Sequence, residues 1–330
     1  IARDLSTDYG TLAQWQTGTG FEANAVSFDP QYQSTTNLIA SAPGLASAGK
    51  NLLAVVAADI NSVARTTTPS IGANQYSAAA LTPLNGTYTV GTGQTYTTIN
   101  AAISAMMVNG ISGPVTFQLA SQTFTEQFVL PSISGSSAAN TITFQSQSGN
   151  AANTILTFTA SATATNYIAQ LSNASFVTFK NLTFQPTGTS FNRAIQVVNR
   201  ADDLTFENLI ITLPATTSFS EDRAAILARP SLSTNLRFIN NTITGGSHGI
   251  IHVGNSTSRS PGTIFTGNTL TNVFARPAYF EYMQGGIFNN NTISFTGTSY
   301  SDYYGLTVQN TPGYIELQRN RITGAAGTAL

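Results

Sequence analysis

"NLRFINNTIT", residues 235 to 244, is two short apolar–polar alternations hinged on a pair of asparagines. Leu236, Phe238 and Ile243 recur with the two-residue period of strands that bury one face. The phrase returns along the chain. It reads "FVTFKNLTF" from Phe176, "DLTFENLII" from Asp203, "GTIFTGNTLT" from Gly262, "GGIFNNNTIS" from Gly285 and "GYIELQRNRIT" from Gly313. Aligned, the copies place Asn181, Asn208, Asn241, Asn268, Asn291 and Asn320 at one position. The intervals run from 23 residues (268 to 291) to 33 (208 to 241). Between the copies lie further strand-like runs: "AIQVVN" from Ala194, "AAILA" from Ala224, "GIIHVGN" from Gly249, "AYFEYM" from Ala278 and "YGLTVQN" from Tyr304.

Each period therefore holds about three short strands between Gly, Asn and Ser turns, and no helix-length segment follows residue 110. That pattern predicts a parallel β-helix, each period one coil, with coils stacked at about 4.8 Å. Its hand should be right, as for nearly all parallel crossovers. The recurrent asparagine suits a sharp bend, because Asn tolerates left-handed backbone. Stacked in register, its amide can also donate to a neighbouring coil's carbonyl. All six asparagines are thus expected in one structural ladder.

Composition narrows the function classes. Of 330 residues 41% are hydrophobic, enough for a sizeable core, while 13 basic and 14 acidic residues leave a net charge of −1. Without a basic excess there is no electrostatic footprint for nucleic acid or anionic lipid. No cysteine is present, so neither a disulfide framework nor a thiolate metal site is available. No apolar run is long enough to span a membrane. The chain opens at Ile1 and stops at Leu330 in mid-pattern, which reads as a mature or partial piece of something longer.

"TYTTINAAISAMMVNG", residues 95 to 110, differs from the rest. Ile99, Ala102, Ile103, Met106 and Met107 recur at helical spacing, with Thr98 as N-cap and Gly110 as stop. The spacing predicts a short amphipathic helix that caps the first coil and protects its edge.

Residues 95 to 146, "TYTTINAAISAMMVNG" through "NTITFQS", resemble the start of a pectin-lyase-like β-helix, and more closely those of large secreted surface proteins of the Bacteroidota. "DYGTLAQWQTGTGFEANAVSFDPQY", residues 8 to 32, resembles the Trp-containing final coil of that family. "ADINSVARTTTPSIGANQY", residues 58 to 76, resembles its terminal pattern, with Asn74 and Gln75 in place of two acids. An end signature before a start signature implies the junction of a tandem array. Residues 1 to 76 would close a preceding unit, 77 to 86 would link, and 87 to 330 would form a β-helix unit incomplete at its C-terminus. The resemblance implies an extracellular or bacterial cell-surface setting. It also implies further β-helix units of the same chain, or like subunits arranged head to tail, as partners.

Enzymes of the superfamily include polysaccharide lyases and glycoside hydrolases, and Ser247-His248-Gly249 loosely resembles a hydrolase motif. Glycoside hydrolysis needs two placed carboxylates, and the only nearby pair read from the sequence is Asp202-Asp203, assigned to another face. A calcium-dependent lyase needs many oxygen ligands, and no such acidic cluster is visible. His248 is therefore read as a turn residue. No metal site and no cofactor is expected.

One constellation carries more. Aligning Val197, Ala228, Val253, Tyr282 and Val308 as inward places His252 and Glu281 outward on adjacent coils. Tyr279, Asp302, Tyr303 and Tyr304 lie near them, with Tyr300 in the same loop. Aromatics beside a His–Glu pair form a candidate glycan-binding surface. The sequence favours a non-enzymatic structural or adhesive module of an extracellular repeat protein or filament. The alternative is a β-helix that binds or degrades polysaccharide.

Overall fold

In the computed structural model the chain is described at residues 2–4, 7–9, 15–17, 45–76, 82–229, 231–297 and 300–324. It divides into two compact units: Ile1–Asn85 with Ile103–Ser112 and Ile133–Gly135, and Gly86–Ala102 with Gly113–Ser132 and Ser136–Leu330. No described helix is long and apolar enough to cross a membrane.

The larger unit is a right-handed parallel β-helix of about eight turns. Three parallel sheets of nine, eight and seven strands form its walls. The first sheet holds the first half of each sequence repeat, from Ile142–Ser146 through Arg237–Ile239 to Ile315–Gln318. The second holds the half after the asparagine, from Thr123–Thr125 through Thr242–Thr244 to Arg321–Thr323. The third holds the intervening runs, from Phe128–Leu130 through His248–Val253 to Leu306–Gln309.

Alternation decides which side chains fill the interior. Phe117, Phe144, Phe179, Phe206, Phe238, Phe265 and Phe288 occupy successive coils of the first sheet in strict register, and all are buried. Neighbouring rings sit 5.0 Å apart at Phe117–Phe144 and 5.4 Å at Phe206–Phe238, both stacked. Such pairs add to the burial of each ring.

The expected asparagine ladder forms over four coils. Asn268 Oδ1 accepts from Asn241 N, Asn291 Oδ1 from Asn268 N, and Asn320 Oδ1 from Asn291 N, at 2.9–3.0 Å. Each amide also donates to a phenylalanine carbonyl of the preceding coil: Asn241 to Phe206, Asn268 to Phe238, Asn291 to Phe265 and Asn320 to Phe288. Asn181 and Asn208 do not belong to it. They stand one position earlier, at the left-handed bend (φ +54° and +51°), where later coils place Asn240, Gly267, Asn290 and Arg319. Their ladder positions are filled by buried Leu182 and Leu209. Bending and stitching, which the sequence reading gave to one asparagine, are thus done by two consecutive residues.

Helix Ile99–Asn109 is present. Thr98 Oγ1 accepts from Ala101 N, Glu126 accepts from the amides of Ile99 and Asn100, and Gly110 ends the helix at φ +68°. A carboxylate at these free N–H groups is also favoured by the helix dipole.

In the smaller unit, Ala2–Asp4 pairs antiparallel with Thr7–Tyr9. In the proposed terminal pattern, Asp59 accepts from the amides of Asn61, Val63 and Gln75, and Arg65 donates to the carbonyls of Ser70, Gly72 and Ala73. Of the Trp-containing stretch 8–32, all but residues 8, 9 and 15–17 lie outside the described residues, as do 77–81 of the linker.

Candidate functional site on the outer face of the third sheet

The third sheet pairs Ala228 with His252, His252 with Phe280 and Phe280 with Val308. These four positions face inward. The sequence alignment had set Val253 beside Ala228, one residue late, and a one-residue slip exchanges the faces of a strand. His252 is therefore not on the surface with Glu281. It is fully buried inside the coil, with neither ring nitrogen hydrogen-bonded. Burial lowers its pKa to about 4, although the nearby Ser233 backbone favours the charged form slightly.

Glu281 does face outward, in the rank Val253–Glu281–Gln309. Its carboxylate is held at both oxygens. Tyr279 Oη donates to Oε2 at 2.8 Å, and Asn310 Nδ2 donates to Oε1 at 2.8 Å. Gln309 Nε2 in turn donates to Tyr279 Oη at 2.7 Å. Partial burial would raise the pKa of Glu281, but the hydrogen bonds and the positive charge of Arg229 outweigh it and lower the value. Tyr279 is pushed up to about 12 by burial and by its bond to that carboxylate. Glu281 is thus ionised and fixed, and Tyr279 stays protonated.

An aromatic and cationic shelf adjoins this pair. Arg276 lies 4.8 Å above the Tyr279 ring and 5.2 Å above Phe219. Phe219 is exposed, and its ring sits 4.7 Å from Tyr300 and 4.9 Å from His248. Arg229 is ion-paired with Glu221. The charge of Arg229 also helps to keep Glu281 ionised.

The remaining sequence candidates divide. His248 is buried, its Nδ1 3.2 Å from the Ser220 carbonyl. It supports Phe219, and burial holds its pKa near 4. Gly249 beside it is required by packing, since a Cβ there would fall 2.2 Å from the Pro277 carbonyl oxygen. Tyr303 is buried against Phe295 and presents no surface. Tyr304 and Asp302 are exposed. Asp202 and Asp203 stitch turns, Asp202 to Arg200 and Thr234, Asp203 to Asn235. The sequence reading missed Phe219, Glu221, Arg229, Arg276, Gln309 and Asn310. "SFSEDR", residues 218 to 223, was the available signal, since it places an aromatic and two acids just before a third-sheet strand.

No family model matches the chain, and no curated protein matches it. Two similar solved structures are of the pectin methylesterase from Aspergillus niger. The deglycosylated form is 13% identical with a TM-score of 0.45, covering 75% of this chain and 88% of that one. The penultimately deglycosylated form is 13% identical with a TM-score of 0.46, covering 76% and 89%. Those chains are enzymes, and the expectation of a non-enzymatic module is withdrawn on that finding. At this identity and TM-score the likeness assigns the chain no reaction.

Proposed function

We propose that the chain is a polysaccharide-active β-helix that works on the outer face of its third sheet. The supporting observation is the Glu281 carboxylate, bound at both oxygens by Tyr279 and Asn310 beside the Phe219–Tyr300 shelf. A sugar ring stacks on exposed aromatic faces, while Arg229 and Arg276 supply donors for its oxygens. Glu281, kept ionised and immobile, acts as general base toward a hydroxyl, a water or a ring proton. A base fixed in position contributes about 10²–10⁴-fold to rate.

The test is a panel of neutral and acidic polysaccharides. New reducing ends report hydrolysis, released methanol reports ester cleavage, and unsaturated ends report elimination. Glu281→Gln should lower kcat by about 10²-fold or more with KM nearly unchanged, and Phe219→Ala should mainly raise KM. Absence of turnover and binding across the panel, or full activity of Glu281→Gln, refutes this assignment.

A further inference from the structure

The second sheet carries a surface that the proposed polysaccharide activity does not use. In three consecutive coils its strands read Thr242-Ile243-Thr244, Thr269-Leu270-Thr271 and Thr292-Ile293-Ser294. The middle residue of each is buried, and the flanking hydroxyl residues point outward. Register is exact to the residue: Thr242, Thr269 and Thr292 form one rank, and Thr244, Thr271 and Ser294 the other. Thr212 and Thr323 continue the second rank by one coil at each end. The result is a two-dimensional grid, about 4.8 Å between coils and about 6.7 Å between ranks. None of the six hydroxyls in the three coils makes a hydrogen bond among those found in the described residues, although side-chain bonds are common elsewhere in these coils.

General strand preference for threonine does not explain this grid. The same coils present mixed outer faces on the other two sheets. The first sheet shows Arg237 and Ile239, then Ile264 and Thr266, then Ile287 and Asn289. The third has Ile251, Tyr279 and Thr307 at the outward positions, the first two of them buried. Within these three coils repetition is confined to one face; the first sheet has a single threonine rank, Thr116, Thr143, Thr178 and Thr205, only in the earlier coils. The double rank of the second sheet coincides with the ladder, since Asn241, Asn268 and Asn291 immediately precede the three Thr strands. In the earlier coils, where Leu182 and Leu209 replace the ladder asparagine, the grid decays to Thr183-Phe184-Gln185 and Ile210-Ile211-Thr212.

We propose that this face binds ice. A rigid grid of hydroxyls and methyls, with no charge and no aromatic ring within its three coils, has nothing with which to stack on a sugar or pair with an ion. It can hold water molecules at a fixed repeat, and its two spacings are close to those of oxygen rows on the prism faces of ice. The hydroxyls anchor ordered water, and the methyls between them exclude water that does not fit the lattice.

Single ice crystals grown in the purified protein should show faceting and a measurable thermal hysteresis, with recrystallisation slowed. Thr269→Lys at the centre of the grid should abolish these effects to the level of serum albumin, and Thr269→Val should retain most of them. Thr266→Lys, in the same coil on the first sheet, should leave them intact. Melting temperatures confirm that each variant is folded. Wild-type protein with no effect on ice growth overturns the proposal, as does an active Thr269→Lys or an equal loss in Thr266→Lys. Binding of insoluble cellulose or chitin by this face, lost in Thr269→Lys and without an effect on ice, overturns it in favour of a crystalline polysaccharide.

Discussion

His252 sits in the β-helix interior with Ala228 on one side and Phe280 on the other. An imidazole there stays neutral, because charging it would bury a cation among apolar side chains. Its folded pKa of about 4 lies below the ordinary 6.5, so the unfolded chain binds the proton first. Above about pH 6.5 the group contributes no pH dependence. As pH falls from 6.5 to 4 stability is lost, by up to roughly 3 kcal/mol for one histidine at about 1.4 kcal/mol per pKa unit. His248 adds in the same direction, with the same depressed value. His252→Leu should therefore melt higher than the wild type at pH 5, with a flatter dependence on pH between 4 and 7. Parallel melting curves for the two proteins across that range would contradict the assignment.

The asparagine ladder is the element that fixes register in the later coils. Asn268 accepts from both the backbone and the side chain of Asn241 and donates to Phe238 O and Asn291 Oδ1, all of it buried. Asn268→Ala leaves several of these groups unsatisfied and should cost about 3 kcal/mol. Asn320→Ala, at the half-buried last rung, should cost distinctly less, and chemical denaturation of the two variants compares them. Equal losses would mean that the rungs act independently of their depth in the stack. The ladder was legible in the sequence because Asn241, Asn268 and Asn291 each precede the same Thr–apolar–hydroxyl strand. Asn181 and Asn208 misled because a single asparagine followed by leucine can be aligned on the bend or on the rung. Spacing alone does not choose between them. The third sheet was harder for the same reason. "GIIHVGN" has apolar residues on both parities, Ile250 on one and Ile251 with Val253 on the other, so the inward set could be chosen with either. The choice made put a histidine outside that the fold keeps inside. Arg276, Phe219 and Asn310 could not be assembled from sequence at all, because the fold alone brings residues 219, 276 and 310 to one face.

At the scale of the molecule, stacking leaves one coil end in view. The three sheets finish on Leu306–Gln309, Ile315–Gln318 and Arg321–Thr323, and among the described residues no strand pairs with their outer edges. In the first sheet the buried phenylalanine column ends at Phe288. The next position, Leu317, is 58% exposed, and Ile315 beside it is 38% exposed. Parallel edges in three sheets, with open apolar ends between them, form a template for another coil. Each such side chain returned to an apolar contact regains roughly 1.5–3 kcal/mol. Where no further chain covers it, this end is expected to associate with a like copy. A contact between unlike surfaces that does not close on itself grows into filaments rather than stopping at a dimer. Light scattering should show mass rising with concentration, and Leu317→Lys should hold the protein monomeric without lowering its melting temperature. A wild type that stays monomeric at high concentration would mean that this edge is covered from within the chain.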